Sequence, residues 1–303
     1  AAVCAHYGQQ AGVLERAAAE AAAELTVDVK RQRQVKQRLA ALGLEGRCAV
    51  FSDEHHRLRL ELEGKNVEQL GQPEELDRMS QLMGCPLRVE ESGGDAVCLV
   101  QKEPLMAVAG VAALGRDGMP VSGDAGGWFK DDAGRLYVLL CDGMGSGLAA
   151  RQDSDGAMRL LEKFLRAGVE PEAALKTVNE ALALKGEAEG GFTTVDILQL
   201  DLFTGKGAVL KLGAAPTYVR RGGGVERLCG SALPAGLVAG DGEPDVFPME
   251  VQAGDCIVMV SDGITAGRED GWLRQALEQF DGLSPQELAR KILADSREQV
   301  GGG

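Results

Sequence analysis

Three short segments of the sequence place an aspartate beside a glycine, each near the end of an apolar run. They contain Asp124, Asp142 and Asp262. Hard divalent cations such as Mg²⁺ and Mn²⁺ prefer oxygen ligands and usually keep several waters. A glycine such as Gly143 lets its own carbonyl oxygen approach an ion without a side chain in the way. These aspartates and the Gly143 carbonyl are therefore candidate metal ligands, and Asp142 and Asp124 are the candidate catalytic residues.

Two of these aspartates follow apolar runs that are typical of buried strands. Asp142 is the first acidic residue after the apolar residues 137–141. Asp262 likewise is the first acidic residue after residues 257–260. Two strands that each deliver an Asp-Gly pair favour a metal site at one edge of a sheet. The alternative is that each pair is only turn chemistry, but the glycine-rich context of Asp142 favours the metal site.

Residues 142–147, Asp-Gly-Met-Gly-Ser-Gly, also have a phosphate-binding interpretation. The segment lacks the Gly-Lys-Ser/Thr of a P-loop, and no lysine follows it closely. A dinucleotide fingerprint would need a closing G-x-x-G within a βαβ unit. Nucleotide binding is therefore the weaker interpretation.

The part of the chain that carries these aspartates has a sequence pattern typical of packed sheets and helices. After about residue 102, strand-like runs at 105–113, 136–141, 195–200, 208–212 and 257–260 alternate with glycine-rich turns. Helical blocks are predicted at 147–167, from Pro171, and from Ser284, where a capping box begins. Locally paired strands combined with paired helices indicate an α+β fold.

The first third of the chain predicts a separate small domain. Residues 11–42 are rich in helix formers, with an interruption at 26–28. Leu58, Leu60 and Leu62 alternate with charged residues, which predicts a strand, and Pro73 opens a short helix. We therefore predict a helical, then small α/β domain over residues 1–102, followed by a second domain over residues 103–303.

Composition excludes several classes of function. The net charge of −14 argues against a nucleic-acid backbone and against broad contact with anionic lipid. Seven dispersed cysteines without a C-x-x-C pair indicate reduced thiols in a cytosolic protein, and the three histidines share no ligand spacing with them, so no structural zinc site is expected. No apolar stretch is long enough to cross a bilayer.

The three aspartate segments together resemble the metal-dependent (type 2C) serine/threonine phosphatases, and more narrowly their stage II sporulation protein E branch. The resemblance rests on Ser-Gly-Asp at 122–124, Asp-Gly-Met-Gly-Ser-Gly at 142–147 and Ser-Asp-Gly at 261–263. It covers about residues 103–300, and further segments of the branch's pattern lie at 192–196, 212–216 and 233–236.

This resemblance implies a fold and a reaction. The expected fold is an α/β/β/α sandwich with two Mn²⁺ or Mg²⁺ ions at one end. Asp142 would bridge the ions, the Gly143 carbonyl would bind one, and Asp124 and Asp262 would hold them from opposite sides. A metal-activated water would hydrolyse phosphoserine on a small anti-sigma-factor antagonist protein in sporulation signalling. The N-terminal domain would be regulatory, and a longer protein would be anchored in the membrane with this region in the cytoplasm. A homodimer is left open.

One feature departs from the family pattern. The family usually supplies a further metal aspartate from an Asp-Asp or Asp-Asn pair near the C-terminus, and no such pair stands after Asp262 in this sequence. We therefore expect the C-terminal end of the phosphatase domain to be missing here, and metal binding to be weak in this form.

Two other interpretations remain. A catalytically weak regulatory or scaffold module of the same fold would bind the partner without turnover, but the presence of all three aspartates favours an enzyme. An ATP-binding or cyclase-type signalling domain would need a phosphate loop or a basic triphosphate clamp, and the sequence provides neither.

Overall fold

The computed structural model describes residues 25–53, 55–115, 122–131, 133–145, 148–189, 192–237, 242–265, 270–280 and 284–301. The predicted helical residues 11–24 and Val121, Ser146 and Gly147 of the motifs lie outside them. Contacts divide the chain into two compact units, with the boundary between Pro104 and Leu105. The assignment of these units to regulation and catalysis stays a prediction.

Within the described residues, the N-terminal unit is a five-stranded antiparallel sheet with two helices. Its strands are β1 (Thr26–Val27), β2 (Gly46–Ser52), β3 (Leu58–Gly64), β4 (Leu87–Gly93) and β5 (Ala96–Gln101), in the order β1-β2-β3-β5-β4. Helix α1 (Val29–Ala41) precedes β2, and a 3₁₀ turn (Val67–Gly71) leads into α2 (Pro73–Met83). The leucines of β3 lie in the core while its charged residues face outward, as the alternation predicted.

The C-terminal unit contains two antiparallel sheets. The larger has the order β12-β9-β8-β7-β6, formed by β6 (Asp124–Lys130), β7 (Arg135–Gly143), β8 (Thr193–Asp201), β9 (Lys206–Leu212) and β12 (Asp245–Glu250). The smaller has the order β11-β10-β13, formed by β10 (Thr217–Arg221), β11 (Gly224–Leu228) and β13 (Cys256–Met259). In the β10–β11 turn, Gly222 and Gly223 both have positive φ, which a tight hairpin turn requires.

Helices cover the outer face of each sheet. Helices α3 (Leu148–Arg166) and α4 (Pro171–Glu189) pack on the larger sheet, through a core that includes Leu161 and Leu182. After the short α5 (Asp262–Thr265), helices α6 (Gly271–Gln279) and α7 (Pro285–Gly301) pack on the smaller sheet around Tyr218. Val138 and Ile257 pack in one cluster between the two sheets. The result is the four-layer α/β/β/α arrangement.

One expectation about strand pairing was wrong. Residues 105–113 form no strand: the Leu105 amide donates to Leu202, and Val111 is held by the side-chain amide of Gln286. These contacts anchor the segment without a strand partner among the described residues.

Candidate metal centre

Two of the candidate aspartates lie side by side on neighbouring strands. Asp124 is the first residue of β6, and Asp142 is the penultimate residue of β7. The antiparallel register pairs them directly. Paired residues project from the same face of a sheet with their Cβ atoms about 5 Å apart. Because Tyr137, Leu139 and Cys141 pack toward α3 and α4, strand alternation turns Asp142 toward the other sheet.

The third aspartate reaches this pair from the smaller sheet. Asp262 begins α5, just beyond β13, and its preceding neighbour Ser261 donates a hydrogen bond from Oγ to Asp124 Oδ2 at 2.9 Å. The carboxyl of Asp142 lies within hydrogen-bonding reach of both Asp124 and Asp262. The structure thus brings together all three aspartates that the sequence singled out, at one end of the sandwich.

The close approach of three carboxyl groups favours the binding of a cation in this cluster. Burial raises the pKa of Asp142 to about 8, and hydrogen bonding with Asp124 and the negative charges of Asp124 and Asp262 contribute. Hard carboxylate oxygens that repel one another are the donor set of a Mg²⁺ or Mn²⁺ site. Within the described residues, no three His, Cys, Asp or Glu side chains already surround a point where an ion would sit. The three carboxyl groups have the donor chemistry that these ions prefer, but their side chains are not arranged around a common ion position.

Gly143 is required by packing as well as by the proposed chemistry. A Cβ on Gly143 would lie 2.0 Å from the carbonyl oxygen of Ala150 in the first turn of α3. A Cβ on Gly123, the residue before Asp124, would lie 3.3 Å from the Ala150 Cβ and 3.6 Å from the Gly143 carbonyl oxygen. Helix α3 therefore rests on the backbone of both aspartate-bearing segments, and metal binding by the Gly143 carbonyl stays a prediction.

Thr193 is a site residue that the sequence argument did not single out. Its buried Oγ donates to the main-chain oxygen of Asp142 at 2.8 Å, and its backbone forms a bridge with Ala235. This hydroxyl fixes the end of β7 behind the carboxylate. The sequence showed Thr193 only as part of the segment 192–196, and a threonine in a strand carries no signal of such a contact.

A buried ion pair lies deeper on the same face of the larger sheet. Asp196 stands two residues after Thr194, which pairs with Asp142. Its Oδ2 accepts from Lys211 Nζ at 2.5 Å and from Thr217 Oγ of the smaller sheet at 2.8 Å. Burial raises the pKa of Asp196 and lowers that of Lys211, while their hydrogen bond opposes both shifts. The pair therefore ties the two sheets together beneath the aspartate cluster.

The nearest thiol is not arranged as a nucleophile. Cys141 precedes Asp142 but is completely buried on the opposite face, and burial raises its pKa to about 12. A protonated, inaccessible thiol cannot attack a phosphoryl group. This thiol therefore supplies no nucleophile to the cluster.

Most of the C-terminal unit matches one family of known proteins. The family model described as Stage II sporulation protein E (SpoIIE) matches residues 132–303. The Stage II sporulation protein E of Priestia megaterium is 32% identical over 191 residues, covering 61% of this chain and 32% of that protein. That of Bacillus subtilis (strain 168) is 31% identical over 191 residues, covering 61% of this chain and 23% of that protein. The match thus spans about a third or less of these relatives.

A solved structure extends the likeness to both units. The structure of the PP2C phosphatase domain and a fragment of the regulatory domain of the cell fate determinant SpoIIE from Bacillus subtilis has a TM-score of 0.67 and 26% identity. The match covers 96% of this chain and 90% of that one. It confirms the predicted α+β fold of the type 2C phosphatases. No helix among the described residues is long and apolar enough to span a membrane.

Proposed function

This chain belongs to the stage II sporulation protein E family, and from that premise we propose that it is a metal-dependent protein serine phosphatase. Its substrate is phosphoserine on a small anti-sigma-factor antagonist protein in sporulation signalling. The observation that carries the proposal is the convergence of Asp124, Asp142 and Asp262 from three separate segments at one end of the sandwich.

In this proposal, different groups of the chain have different roles in the reaction. Asp142 lies between Asp124 and Asp262, so these three carboxylates would hold Mn²⁺ or Mg²⁺, and the Gly143 carbonyl would add a neutral oxygen ligand. Such ions would lower the pKa of a water and neutralise phosphoryl charge. A water oxygen bonds to phosphorus while the bond between phosphorus and the serine oxygen breaks, and the serine oxygen takes up the proton that the water gives up. The products are serine and inorganic phosphate, and no covalent residue on the enzyme is required.

We assign the two units different roles. Residues 1–102 are the regulatory domain and residues 103–303 the phosphatase domain, by analogy with the Bacillus subtilis structure that contains both parts. The longer protein is anchored in the membrane by segments outside this sequence, with this region in the cytoplasm. A homodimer is a further proposal that analytical ultracentrifugation tests directly.

The proposal is tested on a defined phosphoprotein. The chain is incubated with a serine-phosphorylated anti-sigma-factor antagonist and Mn²⁺ from zero to about 10 mM, a range that brackets millimolar binding, and phosphate release is measured. Mn²⁺-dependent release supports the phosphatase. Stable binding of the phosphoprotein without release at any Mn²⁺ concentration supports the alternative, a catalytically weak module of the same fold. The absence of both binding and phosphate release would contradict the phosphatase and the alternative alike.

A further inference from the structure

Two polar side chains of α3 bond to the backbone that carries Asp124. Ser154 donates from Oγ to the Gly123 carbonyl oxygen at 2.5 Å. Arg151 donates from Nη1 to the carbonyl oxygen of Asp124 itself at 2.8 Å. The two acceptors are consecutive, so one turn of one helix holds both peptide groups that flank the Asp124 Cα atom.

Burial makes the serine contact specific. Ser154 is completely buried, and a buried hydroxyl that loses its partner is costly. Its other acceptor is the Arg151 carbonyl at 3.1 Å, the usual contact of a helical serine with its preceding turn. The shorter bond connects the helix to Gly123, the residue before strand β6. It therefore holds the segment that carries Asp124 as well as the helix.

The arginine contact is equally constrained. Arg151 shares its planar guanidinium between the Asp124 carbonyl and Asp155, whose Oδ2 lies 2.9 Å from Arg151 Nε. The planar fork presents its donors in fixed directions. Asp155 therefore orients the guanidinium group that donates to the first residue of β6.

From these contacts we infer that Ser154 and Arg151 are positioning residues that set the metal affinity of Asp124; the inference rests on the proposed function. Gly123 has no side chain to restrict its torsions, so its peptide must be held from outside. The two bonds fix the direction in which the Asp124 Cα–Cβ bond points. Ser261 then fixes Oδ2 from the other sheet. Outer partners of this kind orient metal-ligating carboxylates.

The packing of α3 involves both aspartate segments. Ala150, one residue before Arg151, contacts the backbone at Gly143 and lies against Gly123. The β6–β7 ladder sets the spacing of the Asp124 and Asp142 backbones, and the same helical turn packs against both of them. A role limited to anchoring the helix would affect stability without affecting how a metal is held.

The test measures Mn²⁺ binding without substrate, by electron paramagnetic resonance of free Mn²⁺, on the whole chain. The variants are Arg151→Gln and Ser154→Ala. Arg166→Gln is the matched control, because Arg166 makes a similar ion pair with Glu162 at the other end of α3. We expect Mn²⁺ to bind about tenfold more weakly to the two variants and equally to the control. The Mn²⁺ concentration for half-maximal activity should rise more than the maximal rate falls.

The inference is overturned if the folded variants bind Mn²⁺ as the parent does and only melt at a lower temperature. If Ser154→Ala does not fold, Arg151→Gln decides alone. The variant Asp142→Asn distinguishes a failure of the proposed metal site from a failure of the positioning role. Unchanged Mn²⁺ binding by Asp142→Asn, or no binding by the parent, refutes the proposed site and this inference with it. If Asp142→Asn loses Mn²⁺ binding while Arg151→Gln and Ser154→Ala bind Mn²⁺ as the parent does, only the positioning role is refuted.

Discussion

Asp124 and Asp142 are a directly opposed pair of acidic residues on neighbouring antiparallel strands. Like charges directly opposite each other on a sheet destabilise it, and here Asp262 adds a third carboxyl next to Asp142. A sheet that served only as scaffold would gain stability by replacing one of them. The proposed function accounts for the arrangement through a divalent cation that all three would bind.

Asp142→Asn should stabilise the metal-free protein. The pKa of Asp142 is raised from 3.8 to about 8, so the folded state binds the proton more tightly than the unfolded state. The parent should therefore lose stability as pH rises across that window. Because the carboxyl is partly solvated, we expect a gain of only about 1–3 kcal/mol for the variant near pH 9. Chemical denaturation in EDTA at several pH values measures it.

The control for this variant is Asp295→Asn, which removes a partly exposed carboxylate that pairs with Lys291. Its effect should stay within about 0.5 kcal/mol and depend little on pH. Equal stability of Asp142→Asn and the parent at every pH would show that the Asp142 carboxyl is not strained by its neighbours.

Mn²⁺ should stabilise the parent in a concentration-dependent way. We expect millimolar binding, about −4 kcal/mol, and hence about 1.4 kcal/mol of stabilisation at ten times the dissociation constant. The melting temperature is followed during a Mn²⁺ titration, with Ca²⁺-free buffer and constant ionic strength. A melting temperature that rises equally in Asp142→Asn would place the metal elsewhere.

Gly143→Ala should destabilise the C-terminal unit by about 2 kcal/mol or more, because the new methyl group meets backbone of α3 that cannot rotate away. Gly156→Ala is the matched control within α3. A Cβ at Gly156 meets no atom within 4 Å, so this substitution should stabilise the helix by about 0.5–1 kcal/mol. Urea unfolding of both variants compares them, and equal effects would contradict the close contact.

Breaking the Asp196–Lys211 pair should be costly. Asp196→Ala leaves the Lys211 ammonium buried without its counter-charge, which typically destabilises by about 3–5 kcal/mol. The double variant Asp196→Leu/Lys211→Met removes both charges and should recover much of that loss. A double-mutant cycle measured by urea unfolding gives the coupling. Additive single effects would show that the pair does not act as a unit.

The elements that the sequence predicted well have strong local signals. Helix α2 begins at Pro73 as predicted. The Ser284 hydroxyl accepts from the Glu287 amide as the capping box requires. In each case neighbouring residues alone determine the conformation, so no knowledge of distant contacts is needed.

The elements that sequence reasoning missed depend on distant partners. Strand β6 carries Asp124 but contains Gly126-Gly127, which lower its intrinsic strand preference. The segment 105–113 has a strand-like composition, yet contacts with Leu202 and Gln286 decide its conformation. The three aspartates could be predicted because their motifs are local. The partners that hold them, Ser154 among them, come from other elements and leave no local signal.

The most direct test of the central claim is the rate of Mn²⁺-dependent phosphate release from a serine phosphoprotein by the parent and by Asp142→Ala. If Asp124, Asp142 and Asp262 hold the catalytic metal, the variant should remain folded and lose activity by about a thousandfold or more, because the bridging ligand contributes several kcal/mol to the transition state. Turnover by the purified, folded Asp142→Ala variant at close to the parent rate would contradict the account.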